Sequence, residues 1–372
     1  MRTAIAESLR LEQPIFAFSH CRDVVAAVTQ AGGMGVLGAA WMTPDELDMS
    51  IAWIEERVGG KPFGVDLVFP GTALDEERTS GEYLAAIPAA HLDFVRGMLD
   101  QGGLAELDPA DCDAYMIENA NKMAMTNRKS HEQFDVVLGR GSASLVVGAL
   151  GVPPKSVVDR AHAQGVQVGA LVGSAKHAAR QRSVGLDVLV AQGTEAGGSV
   201  GAIASTVLWP QVVEAAGGLP VLAAGGISRG SHILAALAMG CQGAWIGSLW
   251  LGTVESELSD EMRAKLFAAD SEDAVLDNIM TGKSGRMLRT KYIDGWHADG
   301  APKPLSWPMQ SILNGYSYRR AERAHDFDYW TYAVGQVLGD MTGPTTVRRE
   351  MERLLNEYVD ALEALNKVTT FE

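Results

Sequence analysis

The residues best suited to chemistry lie in a few short stretches. Residues 191–201, "AQGTEAGGSVG", crowd four glycines around one acid, Glu195, and the hydroxyl of Ser199. That much bare backbone lets a flat ligand approach closely, and the Gln192 carboxamide beside it can donate or accept at ring heteroatoms. Ser199 has no useful pKa near neutrality and no activating partner visible in the sequence. It can orient a carbonyl by a hydrogen bond but cannot by itself abstract a proton. Glu195 reads as an acid that organises its own loop by accepting backbone N–H groups. His20, in "AFSHC", could exchange protons, because an imidazole titrates near neutrality; its alternative role is simply to precede a helix. His177, in "VGSAKHAA", is a second candidate whose alternative is a helix cap or surface position.

Two further stretches, "AAGGIS" and "WIGSLW", supply Gly225, Gly226, Gly247 and Ser248. Such glycines either make tight turns or bind phosphate through exposed backbone amides, and Ser228 can cap the helix that follows. The three cysteines, Cys21, Cys112 and Cys241, lie far apart and lack the paired spacings of zinc or iron–sulfur sites. No metal and no structural disulfide is expected, and the compartment reads as reducing, hence cytoplasmic. A net charge of −15 argues against a nucleic-acid partner. No long apolar run argues for a membrane.

These residues need elements to hold them. From Pro14 onward, eight short apolar runs alternate with helical patterns: "PIFAF", "GMGVLGAA", "PFGVDLVFP", "SASLVVGAL", "VQVGALVGS", "LDVLVAQG", "LPVLAAGGI" and "GAWIGSLWL". Alternation with near-continuous apolar strand interiors predicts a (β/α)8 TIM barrel over residues 1–252, with a doubly wound sheet as the alternative. Residues 71–130 form an insertion after the third strand, a lid or dimer contact in this reading. Residues 253–372 form a C-terminal helical extension that packs on the barrel. In such a barrel the active site lies at the C-terminal ends of the strands, which gathers His20, Asp66, Gln192 and the glycines at one mouth. Within the extension, Tyr292, Trp296 and Trp307 are expected to wall a pocket for an apolar substrate. Arg286 and Arg289 either meet an anionic group such as a CoA phosphate or stay solvated.

"AQGTEAGG", followed by "LPVLAAGGI" and then "ALAMGCQGAWIGSLWL", resembles the nitronate monooxygenase family, formerly called 2-nitropropane dioxygenases. The similarity extends to "PIFAFSHCRDVVAAVTQAGGMGVLGA" near the start and to "KPLSWPMQSIL" and "VGQVLG" near the end. The resemblance implies FMN bound non-covalently, with Ala17, Phe18, Asp66, Gln192, Gly197, Gly198, Gly225, Gly226, Gly247 and Ser248 as its contacts. Trp245 stands where the family commonly has glutamine. Asp66 stands where it usually has asparagine, and an anion there would disfavour reduced flavin. Ser199 replaces the histidine of the family's "EAGGH", so proton transfer would need another base, His20 or His177, with Ser199 as a binding group. The implied activity is oxidation of a small or apolar substrate with O2 as acceptor. The alternatives are an NAD(P)H-dependent enoyl or quinone reductase, an acyl-CoA dehydrogenating flavoenzyme, and a flavin-binding barrel without turnover; a homodimer is also expected.

Overall fold

The computed structural model describes residues 1–71, 79–123 and 125–369. Eight parallel strands close into a barrel: Ile15–Ser19, Met34–Gly38, Gly64–Val68, Leu145–Ala149, Gln167–Val172, Val188–Gln192, Val221–Ala224 and Gly243–Ile246. Each coincides with one of the eight apolar runs, as the alternation predicts, the first strand passing its run by one residue at Ser19. The last run is strand only to Ile246, after which Ser248–Gly252 winds into a short 3₁₀ turn.

Side-chain alternation sorts the strands into two layers. Phe16 joins Met34, Val36, Leu145, Val147, Val188, Leu222 and Trp245 in the lumen, with Phe18 packed against them. Ile15, Ala17, Val65 and Leu67 face outward and pack under the helices. The helices take their ends from local chemistry. Pro44–Val58 opens on a capping box between Thr43 and Glu46 and stops at Gly59, which is left-handed. The helix after the sixth strand runs Ser205–Ala216 with Pro210 inside it. It therefore begins a turn before the expected "WPQVVEAAG", because Glu195 binds the backbone N–H of Ser205.

The insertion and the extension share an apolar cluster of their own. Helices Ser80–Ala85, Ala89–Gln101 and Pro109–Met123 bring Tyr83, Val95, Leu99 and Met116 against Tyr292, Ile293, Trp296 and Leu313. Residues 72–78 and 124 of the expected 71–130 insertion lie outside the described residues. Tyr292 and Trp296, expected to wall a substrate pocket, are instead buried in this cluster. Their large ring areas contribute more there than at an open mouth; the Tyr292 hydroxyl donates to Asn314 Oδ1 at 2.9 Å.

Two parts of the extension reach back to the barrel. Strands Ala274–Asp277 and Gly285–Leu288 make an antiparallel sheet that recruits Gly198–Ser199 from the loop after the sixth barrel strand. The helix Val347–Thr369 seats Val347, Met351 and Leu354 in the barrel's outer layer. Among the described residues, no helix is long and apolar enough to cross a membrane.

Candidate active site

At the C-terminal mouth of the barrel, the loop after the sixth strand is held from both sides. The Glu195 carboxylate accepts the Ser205 backbone N–H at 3.0 Å and the Ser205 hydroxyl at 2.7 Å. Ser205 Oγ also lies 3.0 Å from the Gly225 carbonyl, so one hydroxyl couples the sixth and seventh loops. Glu195 thus organises its loop as the sequence suggested. From the other side, Arg286 donates Nε to the Thr194 carbonyl at 2.8 Å and Nη1 to the Ala274 carbonyl at 2.5 Å. Arg286 is only 7% exposed. Its Nε and Nη1 are given to backbone carbonyls inside the protein, so it is not the solvated arginine of an exposed turn. Arg289 is exposed and pairs with Asp294 at 2.8 Å.

Gly197 has a structural reason to be glycine: a Cβ there would meet the Val334 carbonyl carbon at 2.8 Å and the Gly335 nitrogen at 2.9 Å. The extension crosses the loop at that point. The Gly335 N–H then donates to Ser248 Oγ at 2.8 Å. Gly247 differs, since a Cβ there would meet nothing nearer than Phe18 at 3.9 Å. Its bare face opens on free space at the mouth.

The loop after the seventh strand turns through Gly225 and Gly226, both left-handed with φ 95° and 70°. It is anchored from the extension: Ser228 and Arg229 both donate to Asp340, and Arg353 Nη2 donates to the Ser228 carbonyl at 2.8 Å. The Gly230 N–H, at the start of the next helix, donates to Glu357 at 2.9 Å. Gln192, half-buried at the end of the sixth strand, has no side-chain partner among the described residues. Gly198 and Ser199 lie on the short strand against Gly285 and Arg286, with Ser199 exposed.

Across the mouth, His20 Nδ1 lies 2.7 Å from the Gly38 carbonyl oxygen. A carbonyl only accepts, so the neutral ring carries its proton on Nδ1 and leaves a lone pair on Nε2. The ring stands edge-on to Phe18 at 5.1 Å and 6.3 Å from Trp41. It opens into a cavity of about 370 Å³ whose walls include Arg22, Trp41, Glu46, Lys122 and Glu257. Desolvation by the surrounding protein lowers its pKa, against the raising effect of the Gly38 bond. Nearby, Lys129 Nζ donates to the Ala40 and Lys122 carbonyls at 3.2 and 2.7 Å, and burial brings its pKa down to about 8. His177 lies in the first turn of helix Ala175–Arg182, exposed, with its backbone N–H capped by Ser174.

Asp66 corrects an expectation. It is 3% exposed, its Oδ2 has no hydrogen-bond partner, and burial alone pushes its carboxyl well above the usual range. Burial with no cation beside it favours the neutral form of this carboxyl, against the anion expected beside a flavin. Trp245 fills the lumen beneath the mouth, stacked on Phe18 at 6.1 Å and Phe16 at 6.5 Å. The Ala17 side chain belongs to the outer layer, so only its backbone can face a ligand.

The sequence missed Trp41, Lys129 and Leu150. Trp41 lies three residues past the end of the second strand, and that position was the available signal. Leu150 is 46% exposed after the fourth strand with φ 58°, a left-handed turn that no leucine advertises. Cys21, Asp23 and Glu257 come within 4.8 Å of one another. The Cys21 thiol, however, donates to the Glu255 carbonyl at 3.0 Å and is pushed up to about 11 by burial, which makes it a poor metal ligand.

A flavin nucleotide fits this donor set. The orphaned Asp66 oxygen, the unpaired Gln192 amide and the open face of Gly247 converge on one mouth, above an aromatic floor.

Comparison with known proteins agrees with the geometry. Residues 5–357 match the nitronate monooxygenase family. A Mycobacterium tuberculosis protein provisionally named monooxygenase Rv1533 is 42% identical over 98% of both chains. A second protein of that organism, named (3aS,4S,5R,7aS)-5-hydroxy-7a-methyl-1-oxo-octahydro-1H-indene-4-carboxyl-CoA dehydrogenase, is 28% identical over 79% of this chain and 68% of its own length. The solved nitroalkane oxidase of Streptomyces ansochromogenes superposes with a TM-score of 0.78 at 25% identity, over 98% of this chain and 100% of that one. Similarity of this depth along nearly the whole length means that the chain belongs to the nitronate monooxygenase family and is a flavin oxidoreductase.

Proposed function

We propose that the protein is an FMN-dependent oxidase of small or apolar carbon acids, nitroalkanes and their nitronates first among them, with O2 as the electron acceptor. The observation that carries this reading is the tautomer of His20. With Nδ1 given to Gly38, Nε2 is a neutral base at the mouth, the group that Ser199 cannot supply. Bound FMN would supply the electron acceptor for the substrate. Gly225, Gly226, Gly247 and Ser248 would hold its phosphate, Gln192 and Asp66 its ring edge, and Phe18 and Trp245 the floor below. A neutral nitroalkane gives its α-proton to His20 Nε2 and leaves as the nitronate. Overall, two nitronates and one O2 yield two carbonyl compounds and two nitrites, which balances in atoms and charge. The three free, buried cysteines support a reducing compartment such as the cytoplasm.

A second reading, dehydrogenation of an acyl-CoA thioester, is favoured by one feature. Arg22 and Lys122 line the cavity beside His20, where a phosphorylated handle would find cations, and a relative carries a carboxyl-CoA dehydrogenase name. Here His20 would take the α-proton, and bound FMN would supply the acceptor for the β-hydride.

Anaerobic reduction of the purified holoprotein separates these. Bleaching of the flavin bands by a nitronate, without nicotinamide, supports the first reading, and bleaching by an acyl-CoA thioester supports the second. Bleaching by NADH or NADPH alone would overturn both in favour of a reductase.

A further inference from the structure

Three side chains near the start of helix Asn127–Arg140 hold the segments around the cavity in front of His20. Gln133 Nε2 donates to the Ala39 and Met42 carbonyls, each at 2.8 Å, and Ser130 Oγ donates to the Val68 carbonyl at 2.6 Å. Lys129 is the charged member of the set. Its Nζ donates to the Ala40 carbonyl at 3.2 Å, next to Trp41, and to the Lys122 carbonyl at 2.7 Å. Lys122 lies in the last turn of helix Pro109–Met123, where a carbonyl has no partner within its own helix. Trp41, Met42 and Lys122 all line the cavity. One lysine therefore joins the insertion to the loop after the second strand, and the two together wall the space that His20 faces.

Both acceptors at Nζ are neutral carbonyls. A neutral amine has two N–H groups, enough for both, whereas the ammonium brings a charge that must leave water when the wall closes. The charged groups around it are engaged elsewhere. Glu46, from helix Pro44–Val58, attracts the ammonium, but its carboxylate accepts the Thr43 N–H of its capping box at 2.8 Å. The Lys122 ammonium pairs with Glu118 at 2.9 Å. On the lysine's own helix, Arg128 lies 4.0 Å from Glu132, and His131 Nδ1 lies 2.8 Å from the Asn127 carbonyl. Asp66, on the strand beneath, is a buried carboxyl with an unpartnered oxygen.

We infer that Lys129 is a positioning residue that sets how firmly the insertion closes beside Trp41 and His20: its protonated side chain holds the wall poised to open, and its neutral amine lets the wall close. Burial brings the amine down to about 8 in the closed form, and exposure in an opened form returns it toward the ordinary value of about 10.4. The opened form then binds the proton more readily, so closure strengthens as pH rises from about 8 and levels above about 10.4. This concerns access to the cavity and does not depend on which substrate enters it.

The test is backbone hydrogen exchange in the full-length protein as purified, comparing wild type, Lys129→Arg and Lys129→Met at one pH at a time, so that the intrinsic pH dependence of exchange cancels. Arginine can serve both carbonyls but keeps its charge. Over residues 109–123, wild type and Lys129→Arg should exchange within about twofold of each other at pH 7. At pH 9 wild type should exchange at least about fivefold more slowly than Lys129→Arg. Lys129→Met, which strands both carbonyls, should exchange faster than wild type at both pH values. The fourth barrel strand, Leu145–Ala149, should exchange alike in all three proteins. A ratio of wild type to Lys129→Arg that is the same at pH 7 and pH 9 overturns the inference, since any pH dependence then belongs to another group. Exchange in Lys129→Met equal to wild type, or a change shared equally by the fourth strand, overturns it as well.

Discussion

The imidazole of His20 gives Nδ1 to the carbonyl of Gly38 at 2.7 Å, and this one bond decides which nitrogen faces the cavity. His20→Gln should keep the flavin and lose turnover by about 10²- to 10⁴-fold, the usual contribution of a positioned base. Desolvation lowers the histidine's pKa, so the neutral, active form should dominate from below the ordinary imidazole value upward. Turnover should rise with pH through a midpoint under about 6.5 and then level. Stability follows the same sign. The unfolded chain binds the proton more readily, so stability is present above about 6.5 and is lost as pH falls through the folded value. A pH–rate profile unchanged in His20→Gln would remove the residue from the chemistry.

Arg286 ties the catalytic loop to the C-terminal sheet through the carbonyls of Thr194 and Ala274. Arg286→Met keeps the aliphatic stem but leaves both carbonyls without their charged donor. The cost should be about 2–4 kcal/mol, read as a lower midpoint in denaturant titration. Because the loop follows directly on Gln192, FMN affinity should also drop by about tenfold or more. A variant that loses stability but binds FMN normally would make the latch purely structural.

The barrel was legible because its signal is local. Eight apolar runs with helices between them need no knowledge of distant contacts, and each run contains its strand to within one residue. The acid in "AQGTEAGG" was legible for the same reason, its partner Ser205 lying ten residues away. What the sequence hid is long-range. Arg286 and Thr194 are 92 positions apart, and Ser228 and Asp340 are 112 apart, so no spacing links them. The aromatic residues of the extension were misplaced because a pocket wall and a second core ask for the same side chains. The glycine at 197 was read toward a ligand, whereas the contact on its bare side is with Val334 and Gly335. The environment of Asp66 could not be read from the sequence, because burial and the absence of a partner for Oδ2 are supplied only by folding.

Ser199 is exposed and lies on a short strand paired with Gly285, so a larger side chain meets little resistance there. Because proton abstraction belongs to His20, Ser199→His should restore turnover of neutral nitroalkanes by about tenfold or more in a His20→Gln background. Turnover of preformed nitronates, which need no deprotonation, should change little. Ser199→Ala should stay within about twofold on both. Steady-state comparison of a nitroalkane with its own nitronate checks this, and an equal gain on both substrates would contradict it.

Asp340 reaches from the extension to the loop after the seventh strand, where it receives the Ser228 hydroxyl and the Arg229 guanidinium. Burial alone would push its carboxyl up, but these two donors hold it below the usual range. A depressed acid contributes stability that is present at neutral pH and lost as pH falls through its folded value, below about 3.9. At neutral pH, Asp340→Asn should therefore cost about 1 kcal/mol, a modest figure because Arg229 is largely exposed. The larger effect should fall on the cofactor. Ser228 and Arg229 directly follow the Gly225–Gly226 turn, so loosening them should weaken binding of the phosphorylated flavin by about five- to tenfold while leaving riboflavin, which lacks the phosphate, nearly unchanged. Measuring both affinities on one preparation separates the roles: a shift in the FMN-to-riboflavin ratio assigns the loop to the phosphate, and equal losses on both ligands would refute that assignment.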